Sequence, residues 1–349
     1  MSLYDAIRDL PLTVEGYDLD GRSMAVSSEF TRKTTVIRLF GSDEEGLGED
    51  VTYDAPEHDA QLERGPALPL TGEWTIDSFS RHLETQALFE RPPEREVYIS
   101  YRRWGFESAA LDLALRQAGE SLAEATARDL RPLTFVSSMR LGEPPTTKVL
   151  RGWLELYPWL RFKLDATSSW SDELVGELRE LGCVDSIDFK GQYHGTVVDQ
   201  PPDPKLYRRV VDGFPNAWLE DPALTDETRP ILEPHTDRIT WDAIIHSVDD
   251  IEALPWRPRT VNVKPSRFGS LGALFTGYEY CRDSGIGAYG GGQFELGPGR
   301  GQIQYLAALF HPDTPNDVAP GGFNSPEPLA GLPASPLNIE PRKTGFLAF

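Results

Sequence analysis

The chain has 349 residues, and its 55 Asp plus Glu against 34 Lys plus Arg give a formal charge of -21. That length exceeds one small domain and suits a large barrel with a smaller partner, or two to three ordinary domains. An acidic surface of this size repels phosphate backbones and anionic lipid heads, which argues against nucleic-acid and membrane-surface partners. The two cysteines, Cys183 and Cys281, exclude a disulfide framework and any zinc site built on thiolates. No window approaches 18 apolar residues, and Met1 to Pro11 lacks a signal pattern. The composition therefore reads as a soluble, reduced protein of the cytoplasm.

In chain order, Thr34-Thr-Val-Ile-Arg-Leu-Phe alternates and is β-branched. Gly41-Ser-Asp-Glu-Glu-Gly then supplies turn chemistry before a second strand at Gly48-Glu-Asp-Val-Thr-Tyr. Helices are expected over Ile76 to Leu88 and Gly105 to Leu130; in the latter, Phe106, Ala109, Ala110, Leu113 and Ala114 recur at helical spacing. Residues 1–128 thus read as an α+β domain. From about 131 the texture changes to eight short apolar runs, beginning at Leu133, Leu160, Val184, Ala217, Ile239, Thr260, Ile286 and Asn316. Helical stretches such as Glu173 to Leu181, Pro204 to Val211 and Asp249 to Leu254 separate some of them. Strands alternating with helices predict a β/α barrel over 129–324. A doubly wound sheet competes, but no Gly-x-Gly-x-x-Gly follows a first strand. The Pro-rich segment from Ser325 to Phe349 reads as an extended tail packing back on the body.

Only seven basic residues are lysines: Lys33, Lys148, Lys163, Lys190, Lys205, Lys264 and Lys343. A buried lysine lowers its pKa and can move a proton near neutral pH, which arginine cannot. Three of the seven fall at the ends of apolar runs, where β/α barrels carry their chemistry. Read in order, the run ends are Lys163 and Asp165, Asp188 and Lys190, Glu220, Asp242, Lys264 and Glu295. From Lys163 to Asp188, Glu220, Asp242, Lys264 and Glu295 the steps are 25, 32, 22, 22 and 31 residues, each the length of one βα unit. Asp188, Glu220 and Asp242 make a hard oxygen site suited to magnesium. A magnesium ion on a substrate carboxylate stabilises an enediolate, and a rim lysine moves the α-proton. None of the six histidines is spaced as a metal pair.

The motif order resembles the enolase superfamily, in particular its muconate-lactonizing and o-succinylbenzoate synthase branch. The residues carrying the likeness are Trp218-Leu-Glu-Asp-Pro, Val261-Asn-Val-Lys-Pro-Ser-Arg-Phe-Gly and Gly291-Gly-Gln-Phe-Glu-Leu-Gly-Pro-Gly-Arg. Thr34-Thr-Val-Ile-Arg-Leu resembles the capping-domain meander, and Ala109-Ala-Leu-Asp-Leu-Ala the helix leading into the barrel. The resemblance implies a modified (β/α)7β barrel of the TIM type under an N-terminal α+β capping domain. It implies Mg2+ held by Asp188, Glu220 and Asp242, and a lyase, cycloisomerase or epimerase acting on a small-molecule carboxylate. Lys163, Lys190 and Lys264 are the expected catalytic residues, with Asp165, Glu295 and Ser266 as substrate contacts. Capping loops around Gly21 to Phe30 and Tyr53 to Glu57 would close over the substrate, and the family habit implies a homo-oligomer.

Two strand ends depart from the family pattern. The second strand, normally Lys-x-Lys, reads Lys163-Leu-Asp165; the third, normally Asp-x-Asn, reads Asp188-Phe-Lys190. Together they suggest a relocated charge, with Asp165 and Lys190 facing each other across neighbouring strands. They also keep open a second reading, a catalytically silent barrel that binds a carboxylate metabolite with a lysine ammonium in place of the metal.

Overall fold

In the computed structural model, residues 2–26, 30–196 and 198–347 are described. The N-terminal region carries β1 (Pro11–Val14), β2 (Gly16–Ala25), β3 (Thr31–Gly41), β4 (Glu44–Asp50) and β5 (Gly72–Thr75). Strands β2, β3 and β4 form an antiparallel meander, and β1 pairs with β5. The meander turns at Ser42 and Asp43, both with positive φ (53° and 62°). That moves the start of β4 back to Glu44, ahead of the Gly48 expected from the sequence. Helix Val97–Ala118 lies against β3 and β4. It begins eight residues before the expected Gly105 and stops at Gly119, whose φ of 72° closes it in a left-handed C-cap. Ser121 then caps a separate short helix, Leu122–Ala125, so the single long helix expected to Leu130 is two.

The remaining strands are β6 (Ser137–Arg140), β7 (Phe162–Asp165), β8 (Val184–Asp188), β9 (Trp218–Glu220), β10 (Ile239–Thr240), β11 (Thr260–Val263) and β12 (Gly287–Gly290). Strands β6 to β10 lie in sequential order in one parallel sheet, and β11 pairs parallel with β12. The Asn262 amide donates to the Trp241 carbonyl (2.9 Å), and Thr240 Oγ1 to the Thr260 carbonyl (2.9 Å), bringing β11 to the edge of β10. Beyond β12, the Asp317 amide donates to the Gly290 carbonyl (2.8 Å), and the Val136 amide to the Asn316 carbonyl (2.9 Å). The first and last apolar runs therefore meet each other through isolated bridges rather than as full strands.

The connections carry helices that include Lys148–Leu156, Asp172–Leu181, Pro204–Gly213, Leu271–Ser284 and Pro298–Phe310. Each turns an apolar stripe inward; Leu174, Val175 and Leu178 of Asp172–Leu181 are all buried. Parallel strands covered by helices are apolar along their length. Accordingly Phe162, Leu164, Ile187, Leu219, Val261 and Val263 are fully buried.

The two parts of the chain are tied by buried polar contacts. The Arg32 guanidinium donates to the carbonyls of Val51 (2.7 Å), Thr52 (2.6 Å), Gln293 (2.8 Å) and Phe294 (3.1 Å). Glu49 accepts from the amides of Leu296 (2.7 Å), Gly297 (2.9 Å) and Gly299 (2.9 Å) at the start of helix Pro298–Phe310. In the tail, Leu337 exchanges two backbone hydrogen bonds with Leu133, and Phe346 donates to Asp112 (3.1 Å). Among the described residues, no helix is long and apolar enough to cross a membrane.

Helix Val97–Ala118 comes close to β4 only because glycines meet there. A Cβ added at Gly48 would fall on the Gly105 carbonyl oxygen and within 2.7 Å of the Ala109 amide nitrogen, both backbone atoms that cannot step aside. Gly48→Ala is therefore expected to destabilise the chain by ~2 kcal/mol, the usual cost of overpacking. Urea unfolding checks this, and an unchanged midpoint would contradict the packing described.

Candidate active site

The register of the parallel strands creates the site. Asp165 on β7 is the partner of Asp188 on β8, and Asp188 is the partner of Glu220 on β9. Three carboxylates thus stand side by side in one row at the C-terminal ends of adjacent strands. Asp242 follows β10 by two residues, and Lys264 follows β11 by one. Asp188, Glu220 and Asp242 are fully buried, and Lys163 and Lys264 nearly so. Buried charges at this density are tolerated only when paired and hydrogen-bonded.

The pairing is dense. The Lys163 ammonium contacts Glu220 and lies 3.4 Å from Asp188 and 3.4 Å from Asp317. The Lys190 ammonium is 2.5 Å from Asp188 and 3.3 Å from Asp165, the cross-strand meeting expected from the two altered motifs. Lys264 donates to Asp242 (2.9 Å), which also receives Arg267 (2.6 Å) and the Tyr193 hydroxyl (2.7 Å). The Tyr289 hydroxyl donates to the second Glu220 oxygen (2.7 Å).

These environments divide the ionisable groups. Burial pulls Lys163 and Lys190 down, but the surrounding carboxylates outweigh it and hold both well above the ordinary lysine value. Lys264 behaves oppositely: burial lowers it, Asp242 only partly compensates, and Arg267 and Lys163 push it further down. Burial would raise Asp242, yet Arg267 and Lys264 keep it well below the carboxylate range. Burial lifts Glu220 to about 8 despite Lys163, with Asp188 and Asp242 adding repulsion. Asp221, raised to about 7 by burial and by Asp242 and Asp188, forms no ion pair among the described residues. Its carboxylate instead accepts from the amides of Asp242 (2.8 Å) and Ala243 (2.8 Å).

Among the described residues, the acids close enough to share a metal ion are Asp188, Glu220 and Asp221, whose ligand atoms lie within 4.8 Å of one another. Asp242 stands outside that group, engaged by Lys264, Arg267 and Tyr193. The donor set fits a hard divalent cation, being all carboxylate oxygen. The charge balance fits as well. Asp165, Asp188, Glu220, Asp221, Asp242 and Asp317 face Lys163, Lys190, Lys264 and Arg267, leaving two formal negative charges.

The structure engages Glu295 outside this cluster. Glu295 is buried, but it accepts from the Gln293 amide (2.6 Å) and pairs with Arg300 (3.1 Å), in the loop that the N-terminal region grips through Arg32 and Glu49. Ser266 is buried in the short helix Pro265–Phe268 that follows Lys264. A Cβ at Gly291 would come within 2.5 Å of Lys264 Cε, so a side chain there would displace the flexible end of that lysine. Of the expected closing loops, Tyr53 stacks on Arg32 at 4.3 Å and is 39% exposed; residues 27–29 of the other lie outside the described residues.

Sequence reasoning missed Asp221, Tyr193, Arg267, Tyr289 and Asp317 as site residues. Arg267 was within reach, lying in the quoted Lys-Pro-Ser-Arg run. Asp221 lay in the Trp218-Leu-Glu-Asp-Pro run, but its inward carboxylate depends on a positive φ of 48° that no spacing rule reveals.

Comparisons with known proteins bear on the fold. A solved structure titled muconate lactonizing enzyme from Pseudomonas putida superposes with a TM-score of 0.62 at 21% identity, covering 88% of each chain. Another, described as an unknown member of the enolase superfamily from Enterococcus faecalis V583, gives 0.62 at 18% identity, covering 88% of this chain and 86% of the other. The fold is that of the enolase superfamily. Two curated relatives are named o-succinylbenzoate synthase. That of Geobacillus stearothermophilus is 24% identical over 291 residues, 78% of this chain and 73% of the relative. That of Bacillus subtilis is 26% identical over 227 residues, 62% of this chain and 58% of the relative. The branch suggested by the strand-end motifs is the one these relatives represent. The chain itself belongs to the family described as domain of unknown function DUF8230, whose C-terminal domain matches residues 129–325 and whose N-terminal domain matches residues 5–125.

Asp221 supplies a pH test. An unfolded aspartate titrates near ~3.9, and the folded group near 7. Between those values the folded chain holds a proton that the unfolded chain has released, so the Asp221 contribution to stability falls as pH rises from about 4 to 7. Asp221→Asn should flatten that decline in thermal unfolding measured across this range. Identical slopes in the two proteins would show that Asp221 is not held protonated.

Proposed function

We propose that this chain is a magnesium-assisted enzyme of the enolase-superfamily type that removes the proton α to a carboxylate of a small molecule, as a lyase, cycloisomerase or epimerase. On this reading residues 1–128 cap a closed (β/α)7β barrel formed by 129–324. The supporting observation is the convergence of Lys163, Lys190 and Lys264 with the buried acids at the strand ends, with Lys264 alone among the three held below its ordinary pKa.

Asp188 and Glu220 would hold the ion, with Asp221 close beside them and Asp242 paired with Lys264. When bound, magnesium supplies Lewis-acid polarisation of the substrate carboxylate. Lys264 takes or returns the α-proton, because burial and Arg267 favour its neutral form. Lys163 and Lys190 stay charged and favour an anionic substrate. Arg267 and Tyr193 fix Asp242, which in turn orients the Lys264 ammonium. With the usual lysine pair of the second strand replaced by Lys163-Leu-Asp165, a one-base elimination fits better than a two-base racemisation.

A panel of carboxylic acids in deuterated water with magnesium tests this, by loss of the α-proton resonance. Exchange is expected with at least one member, and Lys264→Ala should slow it by ~100-fold or more, the usual worth of a positioned acid–base group. Exchange that survives Lys264→Ala would remove Lys264 from the role. One observation favours the second reading, a metal-free barrel that binds a carboxylate metabolite. The Lys163 ammonium already touches Glu220 and lies close to Asp188. Magnesium should raise the melting temperature if the acids bind it, since a ligand of the native state alone stabilises by mass action. A flat response to millimolar magnesium, with no exchange, would favour the metal-free barrel.

A further inference from the structure

Two of the site lysines share an arrangement that charge balance alone does not require. Lys163 contacts two members of the close acid group, Asp188 and Glu220, and one carboxylate outside it, Asp317 (3.4 Å). Lys190 contacts one member, Asp188 (2.5 Å), and one outside it, Asp165 (3.3 Å). Each ammonium therefore bridges the acid group to a second carboxylate on a neighbouring element. Among the described residues, the Asp317 carboxylate has no other ion pair or hydrogen bond. Asp165 Oδ1 is buried and makes no hydrogen bond, although Lys190 is within ion-pair distance. Both outer carboxylates have acceptor capacity to spare.

We infer that Lys163 and Lys190 are exchangeable counterions of a divalent-cation site at Asp188, Glu220 and Asp221, and that Asp317 and Asp165 receive them when the cation binds. The inference rests on the metal reading above and adds to it the positioning roles of Asp317 and Asp165. A divalent ion takes carboxylate oxygens at ~2.0–2.6 Å, so an ammonium on the same oxygens would be held against a like charge at short range. A lysine has a flexible four-carbon stem and rotatable donors. Lys163 and Lys190 can leave Asp188 and Glu220 without leaving ion-pair range of an acid, which avoids the cost of a buried unpaired ammonium. The exchange also gives the altered motifs a purpose. Asp165, where the resembling family carries lysine, is the receiving carboxylate of the ammonium transferred to Lys190.

The test is the affinity of the full chain for Mn2+, followed by the loss of the free-ion spin resonance signal, in a double-mutant cycle. Lys163→Met removes the competing ammonium and should tighten binding by ~10-fold or more. Asp317→Asn strands Lys163 on the acid group and should weaken binding by ~5-fold or more, with Asp317→Glu restoring it. In the Lys163→Met background the effect of Asp317→Asn should shrink to under ~2-fold, since coupling of this size is expected only for groups that act through each other. An equal effect of Asp317→Asn in both backgrounds would overturn the inference, because Asp317 would then act by its field or by structure. So would a Lys163→Met variant that binds no tighter. If Lys163→Met does not fold, having stripped two buried acids of a cation, the more exposed pair provides the same cycle through Lys190→Met and Asp165→Asn. Binding without coupling overturns only this inference; no binding in any variant overturns the metal reading along with it.

Discussion

The site depends on the compensation of buried charge across adjacent parallel strands. Parallel register sets Asp165, Asp188 and Glu220 in one row, with strands about 4.8 Å apart. At that spacing, and out of water, three carboxylates cannot all remain ionised without cations between them. Lys163 and Lys190 occupy those gaps, and Asp242 is matched by Lys264 and Arg267 just after β11. The same compensation divides the lysines into two kinds. Those between carboxylates are held charged, and the one beside an arginine is held below the ordinary lysine value. Acid–base capacity here follows from each group's neighbours rather than from residue type.

The strand ends are built to aim these groups. Lys190, Asp221 and Phe294 all adopt positive φ (53°, 48° and 57°) although none is glycine. Such backbone costs of order 1–3 kcal/mol per residue and persists where surrounding contacts over-determine it. At Lys190 the amide bonds its neighbour Asp188 (2.8 Å) while the ammonium returns to the same carboxylate. At Asp221 the side chain pins the amides of Asp242 and Ala243. At Phe294 the carbonyl accepts from Arg32 of the N-terminal region. The last contact, with Glu49 on helix Pro298–Phe310, ties the loop after β12 to the meander; among the described residues the N-terminal region supplies no member of the lysine–carboxylate cluster.

Much of this could be read along the chain. A charged residue after each apolar run, one βα unit apart, named Lys163, Asp188, Glu220, Asp242 and Lys264; Lys163 pairs with Asp188 and Glu220, and Lys264 with Asp242. The exchange of lysine and aspartate between Lys163-Leu-Asp165 and Asp188-Phe-Lys190 also suggested the meeting of Asp165 with Lys190. Boundaries were less legible. The helix expected from Gly105 to Leu130 is divided by Gly119, and the first apolar run, Leu133 to Val136, pairs with Asn316 and with the tail rather than starting the sheet. Glycine and serine mark such breaks, but pairing between residues almost two hundred positions apart leaves no local trace.

The sequence by itself determined the class of architecture and the chemical inventory, because strand and helix periodicity and the order of charged strand ends are properties of neighbouring residues. Only the tertiary structure decided which acids stand close together. It joined Asp221 to Asp188 and Glu220, set Asp242 among Lys264, Arg267 and Tyr193, and drew Glu295 away to Arg300. The physical reason is that coordination and pKa depend on distances of a few ångströms between side chains from different strands, and those distances are fixed by register and backbone φ rather than by spacing along the chain.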